Sequence, residues 1–206
     1  MTTEPADVPE RRIVDLEGLK ALAHPLRVQI VDALSTYGPA TASGLAERLG
    51  ESSGATSYHL RQLARHGFVR EVEGRGTARE RWWERSPGSF QFGDAETRKS
   101  PAGREATKLV SREMISSRER HLRAYIDRAD RELDGGWLDA GGLSLVNLRL
   151  TAEQLTEATE ALEAVMDGFV ARWRGQDLPG SRPVQFQINA IPVMDGDVTP
   201  DPEEKS

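Results

Sequence analysis

The sequence predicts a mainly α protein with a small β component. Several short helices and a hairpin come first, then a long helix and a small α/β domain. Three observations carry this. Apolar residues recur at helical spacing through most of residues 15–66. Two strand-like stretches, 68–73 and 78–84, flank the glycine-bearing tip GRGT. The second half then runs as a long helical pattern, an apolar strand-like stretch, a second helix and a cleanly alternating strand.

Each element has a local reason. Residues 1–12 hold two prolines, several acids and little to bury, and are expected to be disordered. Asp15 is a suitable N-cap for a short helix with Leu16, Leu19 and Leu22 on one stripe. His24 precedes Pro25, which suits the first position of the next helix, PLRVQIVDALSTYG. Thr41 opens a third helix that buries Leu45, Ala46 and Leu49, with Gly50 as its left-handed stop. Ser52 caps a fourth, with Thr56, Leu60 and Leu63 inward and Gly67 at its end. Together with the hairpin these make a first domain over 13–85. Residues 86–103, rich in Ser, Pro and Gly, read as a linker. A second domain, expected to serve dimerisation or effector binding, spans 104–194. It holds a helix from about Glu105 to Leu133, a strand over 143–150, a helix opened by the capping-box sequence TAEQ, and a strand over 183–193. The two strands are expected to pair through a right-handed crossover. The acidic, proline-bearing stretch 195–206 is expected to be a mobile tail.

Composition bounds the function. Hydrophobic residues are 37% of the 206, so the core is modest and dimerisation would complete it. No apolar run reaches the ~20 residues of a membrane span, and the N-terminus lacks a secretory pattern, so a cytoplasmic protein is expected. With no cysteine, disulfides, thiolate zinc sites and cysteine nucleophiles are excluded. Phosphate-loop, Ser–His–Asp, zincin and dinucleotide patterns are absent, so neither an enzyme nor a bound cofactor or metal is expected. The net charge of −6 conceals an asymmetry: residues 20–85 hold ten basic and seven acidic side chains, a local balance of +3. Local charge decides whether a face can meet phosphates.

The short-helix–turn–helix order places a second helix where it can enter a DNA major groove. At 100° per residue, Thr56, Leu60 and Leu63 share the buried side of helix 52–66. Gly54, Tyr58, Arg61, Gln62 and Arg65 face away, and Ser57 lies at the border. Small residues allow close approach, hydroxyl and amide groups suit base edges, and arginines suit guanine or phosphate. Free N–H groups near Ser52 and Ser53 can hold a phosphate.

The stretches LKALAHPLRVQIVDAL, TASGLAERLG, SSGATSYHLRQLARHGFV and GRGTARERWW resemble the winged helix-turn-helix domain of ArsR-like bacterial transcription regulators. The resemblance covers about residues 15–85. It implies a dimeric, sequence-specific DNA binder, often a repressor released by an inducer. It places Ser53, Gly54, Ser57, Tyr58, Arg61 and Gln62 on the recognition helix, and Arg75, Thr77 and Arg79 on the wing at 73–80. The chain departs from that pattern in lacking the cysteines of metal-sensing members and in carrying Gly44 where many members have an acid. It also continues well beyond the wing.

Other residues have plainer readings. His59 and His66 read as structural, and His121 sits in the long helix. Trp82 and Trp83 must point to opposite faces of their strand. Residues 98–131, with ten basic and five acidic residues, read as an ion-pair-laced surface. Tyr125, Trp173, Phe186 and Ile188 are candidate contacts for a small apolar effector. The expectation is a homodimeric regulator bound to operator DNA, with no membrane partner. The alternative is a winged-helix protein-interaction module that does not read DNA.

Overall fold

The computed structural model describes residues 12–197 except 78, 79, 89, 93, 94 and 177, with the backbone alone at Thr77, Ala95 and Arg98. The disordered ends expected at 1–12 and 195–206 fall largely outside these residues, and Arg79 does so entirely. Among the described residues the protein is mainly helical with two small sheets. It divides into two compact units, Met1–Ser144 with Asp177–Gln185, and Leu145–Gln176 with Phe186–Ser206.

In the first unit, caps fix where the helices start. The Asp15 carboxylate accepts from the Gly18 N–H at 2.8 Å and opens α1 (Leu16–Leu22). His24 Nδ1 accepts from Leu26 N–H at 3.2 Å, and Pro25 begins α2 (Pro25–Tyr37). Thr41 caps α3 (Ala42–Leu49) through Gly44 N–H at 3.1 Å. Ser52 caps α4 (Ser53–Arg65) through Ala55 N–H at 3.2 Å. Each cap satisfies a backbone donor that the helix itself cannot. Leu19, Ile30, Leu45, Leu60, Leu63 and Phe68 then meet in one core.

The hairpin forms from β3 (Val69–Thr77) and β4 (Glu80–Arg85). A two-residue strand, β2 (Ala40–Thr41), joins its other edge, so the sheet order is β2-β4-β3. That strand was not expected. Its partners are Trp82 and Trp83, which are far away in sequence. Gly76 has φ +98°, and a Cβ there would lie 2.1 Å from the Glu80 carbonyl, so this tip needs glycine.

The expected linker over 86–103 is instead structured. It holds β5 (Phe90–Phe92), α5 (Ala95–Lys99) and the first turn of α6 (Pro101–Glu132). Strand β5 runs parallel to β1 (Arg12–Val14). The Phe90 ring lies 5.2 Å from that of Phe68. Burial beside the core overrides the loop-like local composition. Ser100 caps α6 with Pro101 at its start, four residues before the expected beginning. Its first half packs on α1 and α2 through Ala106, Val110 and Ser117. There Ser117 Oγ donates to Asp32 at 2.6 Å, and Gln29 donates to Glu113 at 2.9 Å. Past α6, Asp134 caps a short further helix, α7 (Gly135–Ala140), where a plain stop was expected.

The second unit contains α8 (Ala152–Trp173), opened by the expected capping box between Thr151 and Gln154. The expected strands over 143–150 and 183–193 are not formed. Alternation in a sequence assigns faces, but a strand exists only with a hydrogen-bonded neighbour. Among the described residues neither stretch has a ladder partner, so the crossover pair is absent too.

Arg12 closes the first unit from its N-terminal side. Its guanidinium donates to the carbonyls of His66 at 2.7 Å and Gly67 at 3.0 Å, just past the end of α4, and lies over the Phe68 and Phe90 rings. Gly67, at φ +66°, leaves the space: a Cβ there would sit 2.5 Å from the Arg12 guanidinium. Replacing Arg12 by Ala should lower the unfolding free energy by about 1–2 kcal/mol, because two charge-assisted bonds are lost from a partly exposed site. Urea denaturation followed by circular dichroism checks this, and an unchanged midpoint would refute it.

Candidate nucleic-acid interface

Helix α4 is divided lengthwise. Thr56, Leu60 and Leu63 are fully buried, and Thr56 Oγ1 also donates to the Ser52 carbonyl at 3.0 Å. On the other side Ser52, Ser53, Gly54, Tyr58, Arg61 and Arg65 are exposed, and Ser57 and Gln62 are half-buried. Tyr58 shows 49% of its surface. Neither Arg61 nor Arg65 forms an ion pair with another described residue. Both guanidinium groups are therefore free to meet an external anion. A Cβ at Gly54 would meet nothing within 4 Å, so the surface is open where the helix begins.

The wing differs in character. Arg75 stacks on the Trp82 ring at 3.6 Å, which holds its charge at the tip. Arg70 pairs with Glu84 at 2.6 Å, and Arg81 with Glu71 at 3.4 Å. Those two arginines are partly neutralised, leaving Arg75 as the unpaired basic side chain of the described hairpin tip. Thr77 lies at the end of β3. Trp83 is buried in the core while Trp82 faces the wing surface, as opposite faces of one strand require.

The other candidates fall in both units. Tyr125 lies on α6 in the first unit. Trp173 and Phe186 belong to the second unit, where each packs near Phe169, at 5.0 and 6.0 Å between ring centroids. Ile188 follows in the same unit and is exposed. Among the described residues no group of three or more His, Asp or Glu could hold a metal ion. No described helix is long and apolar enough to cross a membrane.

Residues 22–72 match the helix-turn-helix domain family. That stretch runs from the end of α1 into β3 and contains all of α4. No curated protein matches the chain. Among solved structures, reduced HlyU from Vibrio cholerae is 28% identical over 46% of this chain and 81% of its own, with a TM-score of 0.29. Apo ZitR from Lactococcus lactis is 14% identical over 75% of this chain and 89% of its own, with a TM-score of 0.31. The transcriptional regulator Tm0710 from Thermotoga maritima is 16% identical over 80% and 90%, with a TM-score of 0.29.

Sequence reasoning missed what supports the helix from behind. His59 is buried, and its Nδ1 accepts a hydrogen bond from Arg27 Nε at 3.2 Å. Arg27 also donates to the Ala21 carbonyl, so one guanidinium ties α1, α2 and α4 together. The rings of His24 and Tyr58 lie 4.4 and 5.2 Å from that of His59. Burial above all, then the charges of His24 and Arg27, hold the His59 pKa below its ordinary value, while Glu51 opposes them. An imidazole accepting at Nδ1 must be neutral, with its proton on Nε2. The unfolded chain therefore binds a proton more readily at this position than the folded one. The stability from neutral His59 should be complete above about pH 6.5 and decline as pH falls below it. Denaturation at a series of pH values should show this slope in the native chain and a shallower one in His59→Gln. Identical slopes would assign the effect to other groups.

Proposed function

We propose that this protein is a homodimeric, ArsR-like transcription regulator. It inserts α4 into the major groove of operator DNA and acts as a repressor by occluding a promoter. The carrying observation is the lengthwise division of α4: leucines fully buried behind, Tyr58 and unpaired Arg61 and Arg65 in front. The match of residues 22–72 to a helix-turn-helix domain supports the same reading. Arg61 and Gln62 are assigned to base edges, and Ser57 and Tyr58 to edges or phosphates. Ser52, Ser53 and Gly54 present the start of the helix to a phosphate. Arg65, at the far end, and Arg75, held upright by Trp82, are assigned to the backbone on either side of the groove. Arg79 and Thr77 belong to the same wing assignment. A two-fold dimer would set two such helices about 34–36 Å apart, one turn of DNA.

The ion pairs on the wing favour a second reading. Glu71 and Glu84 neutralise Arg81 and Arg70, which leaves the hairpin with little net charge for DNA and suits a protein-interaction module.

Gel shifts with selected genomic fragments separate the two. A DNA binder protects a near-palindromic site, and its affinity falls steeply with salt. An interaction module does neither. Arg61→Ala should cost about 1–3 kcal/mol of binding and relax preference at one base position. Arg75→Ala should weaken all sequences alike and reduce the salt dependence, as loss of a backbone contact does.

A further inference from the structure

Four polar side chains meet behind the outer face of α4. His59, only 9% exposed, accepts at Nδ1 from Arg27 Nε of α2 at 3.2 Å. His24, between α1 and α2, accepts at its own Nδ1 from Leu26 N–H at 3.2 Å, and its ring lies 4.4 Å from that of His59. Tyr58, the preceding residue of α4, sets its ring edge-on to His59 at 5.2 Å. Arg27 also donates to the Ala21 carbonyl and forms no ion pair with another described residue. The cluster therefore holds one fixed positive charge and two imidazoles. Each imidazole keeps its hydrogen bond only while its Nδ1 carries no proton.

A proton arriving here breaks whichever bond it meets. On His59 Nδ1 it sets a donor against the Arg27 donor. On His24 Nδ1 it removes the cap of α2. In both cases a second positive charge joins the guanidinium, and like charges at close range repel. Burial already disfavours a charge on His59, and His24 and Arg27 act the same way. Glu51, in the turn before α4, opposes them, but it is exposed and screened by water. Of the other elements packed on α4, α1 brings the Ala21 carbonyl. Among the described residues, α1, α3 and β3 bring no charge that acts on His59. His24 is exposed, so solvent protons reach the cluster. Leu60 and Leu63 stay buried whatever Arg27 does, so α4 remains attached. What is lost is the tie at the residue beside Tyr58, and a working contact surface must be held to within about 0.5 Å.

We infer that Arg27 and His59 are positioning residues for the outer face of α4, and that their bond is a latch released by a proton. One proton taken up by the His24–His59 pair frees Arg27, slackens α4 at Ser57 and Tyr58, and lowers affinity for DNA. This rests on the proposed function and adds a signal to it. The sign is distinctive. Protons gained near a phosphate backbone add positive charge and tighten binding, whereas this latch weakens it. Binding that needs the closed latch must expel the proton. By linkage, affinity then falls by up to about tenfold per pH unit below the titration of the cluster.

The test measures the full-length protein at fixed salt against a genomic duplex that it selects at about pH 7.5, a pH at which both imidazoles are neutral. Native affinity should fall about five- to tenfold on going to about pH 5. In the double variant His24→Asn with His59→Gln, amide oxygens can accept both hydrogen bonds but take up no proton. There the fall should shrink to about twofold or less. Nitrogen-15 NMR of the native protein reads the latch without a variant or DNA. The Arg27 Nε and Tyr58 signals should shift with the same midpoint as the His59 imidazole, while circular dichroism stays unchanged. Separate midpoints, or unfolding over the same range, would overturn the latch. So would native affinity that stays flat or rises on acidification, or an equal fall in the double variant, and both results leave DNA reading intact. A shared midpoint in a protein that binds no DNA at any pH would uphold the latch and overturn the proposed function instead.

Discussion

Leu60 and Leu63, with no exposed surface, pin α4 to a core built from α1, α2, α3 and the start of the hairpin. Everything on the other side of that helix depends on the anchor. A side chain that reads a base edge must be held to within a fraction of an ångström, which an unsupported helix of 13 residues cannot do. Here burial supplies the rigidity and leaves the outer face unoccupied. The outer face can therefore be polar and basic at little cost to folding, because the leucines behind it do the holding.

The anchor is reinforced at its start by its own cap, and in the middle and past its end by groups distant in sequence. Ser52 caps the first turn, Arg27 reaches the helix at His59, and Arg12 bonds the carbonyls just past its end. Each satisfies a polar group that burial or helix termination would leave unpaired. Arg12 also brings the N-terminal strand β1 beside β5. The segment after the hairpin is thus ordered by the same contacts that fix α4. A change in β1 or β5 can in this way reach the outer face of α4 without touching it.

The two halves follow different physical regimes. In the first, apolar side chains find each other within the chain. In the second, α8 is well capped and amphipathic, yet none of its described side chains is fully buried. Local signals such as the Thr151–Gln154 capping box act through the nearest backbone and need no partner. Strand signals are different. The alternation of Val184, Phe186 and Ile188 says which face is apolar, but not which strand lies beside it.

By itself the sequence determined what depends on neighbours along the chain. Those features are the four front helices, their caps at Asp15, Thr41 and Ser52, the glycine tip of the hairpin, and the inner and outer faces of α4. Propensity, capping and 3.6-residue periodicity act within a few residues, and one chain displays them all. Tertiary structure alone decided the rest. It drew β5 and α5 out of a Ser- and Pro-rich stretch, because Phe90 packs on Phe68. It added β2 to the sheet opposite Trp82 and Trp83. It joined Arg12 to Gly67 and Arg27 to His59 across gaps of 55 and 32 residues. Among the described residues, 143–150 and 183–193 form no strand. These outcomes depend on which surfaces meet once the chain has folded back on itself, and no local pattern encodes that.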